Sequence, residues 1–252
     1  MAKVGALVHS RHLETDGWEE LVFGVPEEDK LGDHAALARA ILTLGPGEEP
    51  ACLIIGCGRS RRDGLSEGKY SKKYLLDNLE RLREFPRLAS LLDRLSDTER
   101  AAFREVIEDI IVTREVENTA DEIEAAAEIF TEHGVDKVIQ IAASSHVSRC
   151  IKEQAVARSH GKISKAQQWF TVATDMAYLD TKPEDVCVIE PLHRRDQPMT
   201  YTRPGLSEVI APYFRLPDCD KKALVTVVAE FMAARRPDPL PRNGSVLRQA
   251  RP

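Results

Sequence analysis

The chain reads as an α/β protein with a Rossmann-like parallel sheet flanked by helices and a helical-hairpin insertion. Three observations predict it. Short apolar runs rich in β-branched residues alternate with helical patterns along the sequence, the signature of βαβ units. Two of the helical patterns stop at glycine, 33–44 before Gly45-Pro46-Gly47 and the helix after Thr119 at His133-Gly134. The apolar run 138–142 ends at Ser144-Ser145 and passes directly into a helix-compatible segment carrying His146 and Arg149.

Taken in order, the strands are expected at 4–8, 52–55, 110–113, 138–142, 170–174 and 186–190, each a short β-branched or apolar run. Between residues 76 and 107 the chain is strongly helical. Leu75, Leu79, Leu82 and Phe85 recur at helical spacing, Pro86 interrupts, and Leu88, Leu91, Leu92 and Leu95 continue the stripe. Ser96-Asp97-Thr98-Glu99 is a capping box that opens a further helix with Ala102, Phe103, Val106 and Ile107 inside. The 77–107 stretch is thus a hairpin inserted in one domain over 1–236. Packing is its favoured role, with a lid or a dimer contact as the sharper alternative. The proline-rich and basic segment 237–252 reads as a flexible tail.

Composition excludes several function classes. A hydrophobic content of 42% supports a substantial core, and a mean hydropathy of −0.32 with no long apolar run leaves no membrane anchor. The N-terminus enters a strand without a signal-peptide pattern, so a cytoplasmic location is expected. A net charge of −6 and a pI near 5.7 argue against nucleic acid as a partner. The five cysteines are scattered without a zinc-type spacing and are expected to be free thiols.

Ligands of open α/β sheets bind beyond the carboxyl ends of the strands. Five polar motifs fall at such ends, at 9–12, 56–60, 118–122, 144–149 and 190–195. His146 and Arg149, three apart at a helix start, can face one cleft and hold a phosphate or carboxylate, with His146 as acid or base. Gly56 and Gly58 permit positive φ and close approach of backbone to a ligand, with Ser60 following. Glu67, behind the expected N-cap Ser66, and Glu122 are candidate carboxylates. Thr119 with Glu122 also reads as a capping box, and Asn118 as a reader of a hydroxyl or amide. His9, Ser144 and Ser145 complete the candidate ligand-binding set. His9, His12, His146 and His193 raise a metal, but His-x-x-His on a loop is weak for it and no metal ligand is assigned.

Several of these blocks occur in an order that resembles the YdcF/SanA/ElyC-like (DUF218) family. They are Gly56-Cys57-Gly58 after a strand, Ser66-Glu67 with Tyr74-Leu75 downstream, Asn118-Thr119 with Glu122, and Ser144-Ser145-His146-Val147-Ser148-Arg149. The match covers roughly residues 4–150. Where the family carries an arginine at the start of its first helix, this chain has His34, and the 77–107 segment is longer than the usual connection. The resemblance implies a Rossmann-like fold and an anionic, nucleotide-like ligand, S-adenosylmethionine or a phosphorylated metabolite. Group transfer and hydrolysis both remain open, as do a divalent metal, a homodimer, and a non-catalytic ligand-binding or regulatory protein.

Overall fold

The strands expected at 4–8, 52–55, 110–113, 138–142 and 170–174 appear in the computed structural model with shifted ends, together with a short helix and two small hairpins that the sequence reading did not include. The structure describes residues 1–179 together with 217, 219, 220, 223, 226 and 227. The chain divides into two compact units, Met1–Val188 and Ile189–Pro252. In the first, β1 (Ala2–Val8) leads through α1 (Trp18–Val22) and the small β2–β3 hairpin (Gly24–Val25, Lys30–Leu31) to α2 (Asp33–Leu42). Then follow β4 (Glu48–Ile55), the β5–β6 hairpin (Arg61–Arg62, Leu65–Ser66), α3 (Glu67–Asp77), a 3-10 helix (Leu79–Glu84), α4 (Pro86–Leu92) and α5 (Asp97–Glu108). The remainder is β7 (Ile111–Val112), α6 (Thr119–Glu132), β8 (Lys137–Ala142), α7 (Val147–Ser159) and β9 (Gln168–Ala173). Of the second unit's six described residues, five are helical. The strand expected at 186–190, the 190–195 motif with His193, and the 237–252 tail lie outside the described residues.

The five long-sheet strands run in the order β7-β4-β1-β8-β9, every pair parallel. This is a Rossmann-like arrangement. The chain builds outward from β1 to β7, then returns across β1 to β8 and β9. The strand order therefore reverses between β1 and β8, where open α/β sheets form their ligand crevice.

Alternation along β1 and β4 sorts the core into two layers. Ala6, Val8, Leu53 and Ile55 face α2 and the helical insertion, packing with Leu37, Ile41, Leu82, Phe85, Leu88 and Ile107. Leu7, Ile54 and Val138 face the other way, against Ile123, Ala126, Ala127 and Phe130 of α6. Continuing that alternation, His9 falls two residues beyond Leu7, on the α6 side. The insertion is two α-helices and a 3-10 helix, and its apolar stripe is spent on this core. Fully burying each Leu, Ile or Phe contributes about 1.5–3 kcal/mol. The Ser96–Glu99 capping box forms with both reciprocal bonds in place.

Candidate functional site

A cleft of about 480 Å3 opens beyond the carboxyl ends of β1, β4 and β8. Its walls include Ser10 and His12 after β1, Gly58 after β4 and Glu67 of α3. Asn118, Thr119 and Glu122 of α6, His146 and Arg149 of α7, and Tyr178 close the rest. Of the four described strand-end motifs, each contributes to this one cleft.

Glu122 lines the floor, and His9, which does not line the cleft, is buried beneath it. Both are buried, and His9 Nδ1 is ion-paired with Glu122 Oε2. The backbone N–H of Ser10 donates to Glu122 Oε1 at 3.0 Å. Burial by itself would lower the pKa of His9, but the Glu122 carboxylate, helped by the Cys150 sulfur, outweighs it and raises the value to about 10. Burial pushes Glu122 up, and the His9 charge and its hydrogen bonds more than reverse that, holding it below the usual carboxylate range. The two residues are therefore a buried imidazolium–carboxylate pair at neutral pH.

Glu122 reaches His9 because α6 starts one residue earlier in the capping sense than Thr119 suggests. Asn118 is the N-cap, its side chain accepting from the Asp121 N–H at 3.0 Å. The expected Thr119–Glu122 capping box does not form: Thr119 is already helical, which turns Glu122 inward to His9 instead of back to the helix start. Thr119, read from sequence as a cap, instead places its hydroxyl 3.2 Å from His146 Nε2. Asn118 spends its amide locally as well, donating to Asp121 Oδ2 at 2.9 Å.

The glycines of the 56–60 turn serve side chains. Neither Gly56 nor Gly58 has positive φ. A β-carbon at Gly56 would collide with the Glu122 carboxylate, and one at Gly58 with that of Glu67. Glu67 opens α3 and accepts from the Gly58 N–H at 3.2 Å and from the Ser60 hydroxyl. Ser60 Oγ in turn accepts from the Leu13 N–H at 2.9 Å. Ser66 occupies the N-cap position of α3 but makes no side-chain cap bond, contrary to the expectation for it. Among the described residues Glu67 has no cationic partner.

Opposite Glu67 stands α7. His146 is its N-cap residue and no side chain caps it, so the first-turn N–H groups and the positive end of the helix dipole lie at the cleft with Arg149. Arg149 is exposed and makes no ion pair among the described residues. His146 Nδ1 lies 3.0 Å from Arg11 Nη1. Burial first, and then the charges of Arg11 and His9, lower the pKa of His146 to about 3, so it is neutral at physiological pH.

Other sequence-derived candidates are placed differently. Ser144 donates to the Met176 carbonyl at 2.9 Å, and Ser145 Oγ accepts from the Tyr178 N–H at 3.2 Å. Both hydroxyls tie down the chain after β9, and neither lines the cleft. His34 is fully buried and shares a 2.9 Å hydrogen bond with Ser71, away from the cleft. The arginines of the 59–62 segment are paired: Arg59 with Glu117, Arg61 with Glu115, and Arg62 over the Tyr70 ring at 5.3 Å. Sequence reasoning gave no site role to Arg11, Asp33 or Tyr178, and gave Thr119 only a capping role. Arg11 sits inside the strand-end motif at 9–12, and that was the signal available for it.

Among the described residues no group of three or more His, Cys, Asp or Glu is arranged to hold a metal ion, and no helix is long and apolar enough to cross a membrane. The described cysteines, 52, 57, 150 and 219, are free thiols. No protein-family model, no curated protein and no solved structure matches the chain.

Proposed function

We propose that this cleft belongs to a small-molecule enzyme that binds an anionic, nucleotide-like or phosphorylated ligand at the carboxyl edge of the sheet and catalyses group transfer or hydrolysis. The observation that carries the reading is the presence in one crevice, at the strand-order reversal, of two opposite charges that have no ionic partner among the described residues. Arg149 with the uncapped start of α7 stands on one wall and Glu67 on another.

Arg149 and the α7 amides hold the anionic group, by charge and by the free N–H groups of a helix start. Glu67, oriented by Gly58 and Ser60, takes a ligand hydroxyl or ammonium. His146 supplies a proton-bearing nitrogen to a ligand oxygen. Glu122 acts from beneath, fixing His9 and Ser10, and so shapes the floor instead of serving as a free base. The cleft volume falls within the roughly 300–1,000 Å3 of small-molecule sites.

The donor set fits S-adenosylmethionine, the ligand the family resemblance implies, with its carboxylate at Arg149 and its ammonium or ribose hydroxyls at Glu67. When bound, that cofactor supplies a transferable carbon on a sulfonium centre. A phosphorylated metabolite fits the same anion position. A non-catalytic binding role would use the same contacts and would show binding without turnover.

The test is a thermal-shift panel of S-adenosylmethionine, nucleotides, sugar phosphates, isoprenoid phosphates and divalent metals on wild type and Arg149→Ala. A ligand at 100 times its dissociation constant adds about 2.7 kcal/mol of stability. A shift lost in Arg149→Ala supports the site and names the ligand class for turnover assays. No shift with any compound, or an equal shift in both proteins, overturns it.

A further inference from the structure

We propose that Arg11, anchored by Asp33, is a positioning residue that fixes His146 as the tautomer protonated on Nε2, so that the imidazole meets the ligand only as a hydrogen-bond donor. The inference deepens the reading of the cleft as an anion site and rests on it.

A guanidinium offers five N–H donors and no acceptor. Arg11 Nη1 lies 3.0 Å from His146 Nδ1, so Nδ1 must present its lone pair and the ring proton must sit on Nε2. Nε2 is 3.2 Å from Thr119 Oγ1, a hydroxyl able to accept that proton's bond until a ligand oxygen replaces it. Thr119 and His146 both line the cleft, so the Nε2 edge is the one a ligand reaches.

Arg11 has little freedom to leave this contact. Its residue is 2% exposed, and Asp33, itself fully buried at the start of α2, meets it twice. Arg11 Nε is 3.0 Å from Asp33 Oδ2, and Nη2 donates to Oδ1 at 3.3 Å. Nη1 also donates to the Ser10 carbonyl at 3.3 Å. The Trp18 indole N–H holds the Arg11 carbonyl at 3.1 Å, and the Tyr178 ring lies 5.6 Å from the guanidinium carbon.

Charge reinforces the same state. The charged groups acting on His146 are Arg11 and His9 from the end of β1, Arg149 from its own helix, and Glu122 from α6. Three cations oppose an imidazolium, and the one carboxylate that favours it is already paired with His9. A second ring proton would also put an N–H against the Arg11 N–H groups. His146 thus remains a neutral donor where histidines usually titrate. The ligand atom it recognises is an unprotonated acceptor, such as a phosphate or carboxylate oxygen.

The experiment is long-range 1H–15N NMR of histidine-labelled full-length protein between about pH 5 and 8, with His146→Gln assigning the His146 signal. Wild type is expected to show one tautomer, protonated on Nε2, across the whole range. A proton on Nδ1, or titration near the ordinary histidine value, overturns the proposal. In the double variant Arg11→Gln/Asp33→Asn, which removes both buried charges together, His146 is expected to mix tautomers and titrate. An unchanged spectrum in a folded double variant overturns the role of Arg11; if that variant does not fold, the wild-type spectrum decides. Calorimetry with inorganic phosphate separates the two readings. His146→Gln, whose amide nitrogen reaches the Nε2 position, should bind phosphate about tenfold tighter than His146→Asn, whose amide reaches Nδ1. Absence of phosphate binding by wild type counts against the anion site while leaving the tautomer result to stand or fall by the spectrum.

Discussion

His9 and Glu122, 113 residues apart in sequence, meet as a buried ion pair beneath the cleft and join the end of β1 to the first turn of α6. Their titration sets a pH signature. His9 holds its proton to about pH 10 in the folded chain against 6.5 unfolded, so its contribution is complete below about 6.5 and fades as pH rises toward 10. Glu122, lowered from 4.5, contributes above that value and loses its contribution as pH falls through its folded pKa. Glu122→Gln should therefore cost about 3–5 kcal/mol, most between about pH 4.5 and 6.5. Urea unfolding of both proteins across pH checks it. A cost that does not shrink toward pH 10 would mean that the pair is not ionised as described.

Gly56→Ala tests the close approach of the turn after β4 to α6. The added methyl would meet the Glu122 carboxylate and push it from His9. The expected loss is about 1–3 kcal/mol, from overpacking a filled site. Combined with Glu122→Gln, the two losses should fall short of additive, because they strike the same pair. Full additivity in a double-mutant cycle would refute the shared mechanism.

Asn118 caps α6, so Asn118→Ala should lower stability by about 1 kcal/mol. Asn118→Ser keeps a capping oxygen and should restore most of it. If ligand binding follows stability through both variants, the residue acts through the helix. Binding lost in Asn118→Ser at near-normal stability would instead give the amide a direct ligand contact.

Arg149 is exposed and unpaired among the described residues, which separates stability from binding. Arg149→Ala should change unfolding free energy by no more than about 0.5 kcal/mol. Affinity for an anionic ligand should fall about tenfold or more, the value of a charge-assisted hydrogen bond. Calorimetry and urea unfolding on the same preparations decide it, and an unchanged affinity would remove Arg149 from the anion position.

His34 gives a further pH prediction. Burial lowers its pKa to about 3, so the folded state keeps it neutral while the unfolded chain protonates near 6.5. Its contribution is present above about 6.5 and is lost as pH falls toward 3. Replacing His34 with a residue that does not titrate, such as Gln, should flatten the acid limb of the stability profile. An acid limb unchanged in a folded His34→Gln protein would reject burial of a neutral imidazole.

Much of the architecture was legible because strand and helix periods are local properties. Residues 4–8, 52–55 and 138–142 lie within β1, β4 and β8, and the Ser96–Glu99 box opens α5 as its spacing requires. The gathering of the polar motifs was legible too, since parallel strands end at one edge and that edge carries His9, Gly58, Asn118 and His146.

What each side chain does there was decided only by tertiary contact. Local spacing allows Thr119–Glu122 to be a capping box. The N-cap fell on Asn118, so Glu122 lies one residue, about 100°, beyond the position from which a side chain caps the helix start, and it meets His9 instead. Likewise, no sequence rule places Asp33 against Arg11, or Arg11 against His146 135 residues away. The sequence by itself determined the alternating strands and helices and the strand ends where the polar motifs gather, because hydrophobic alternation is written residue by residue. The tertiary structure decided which polar groups neutralise one another and which, Glu67 and Arg149, have no ionic partner among the described residues, because charge pairing depends on distances that only the folded chain defines.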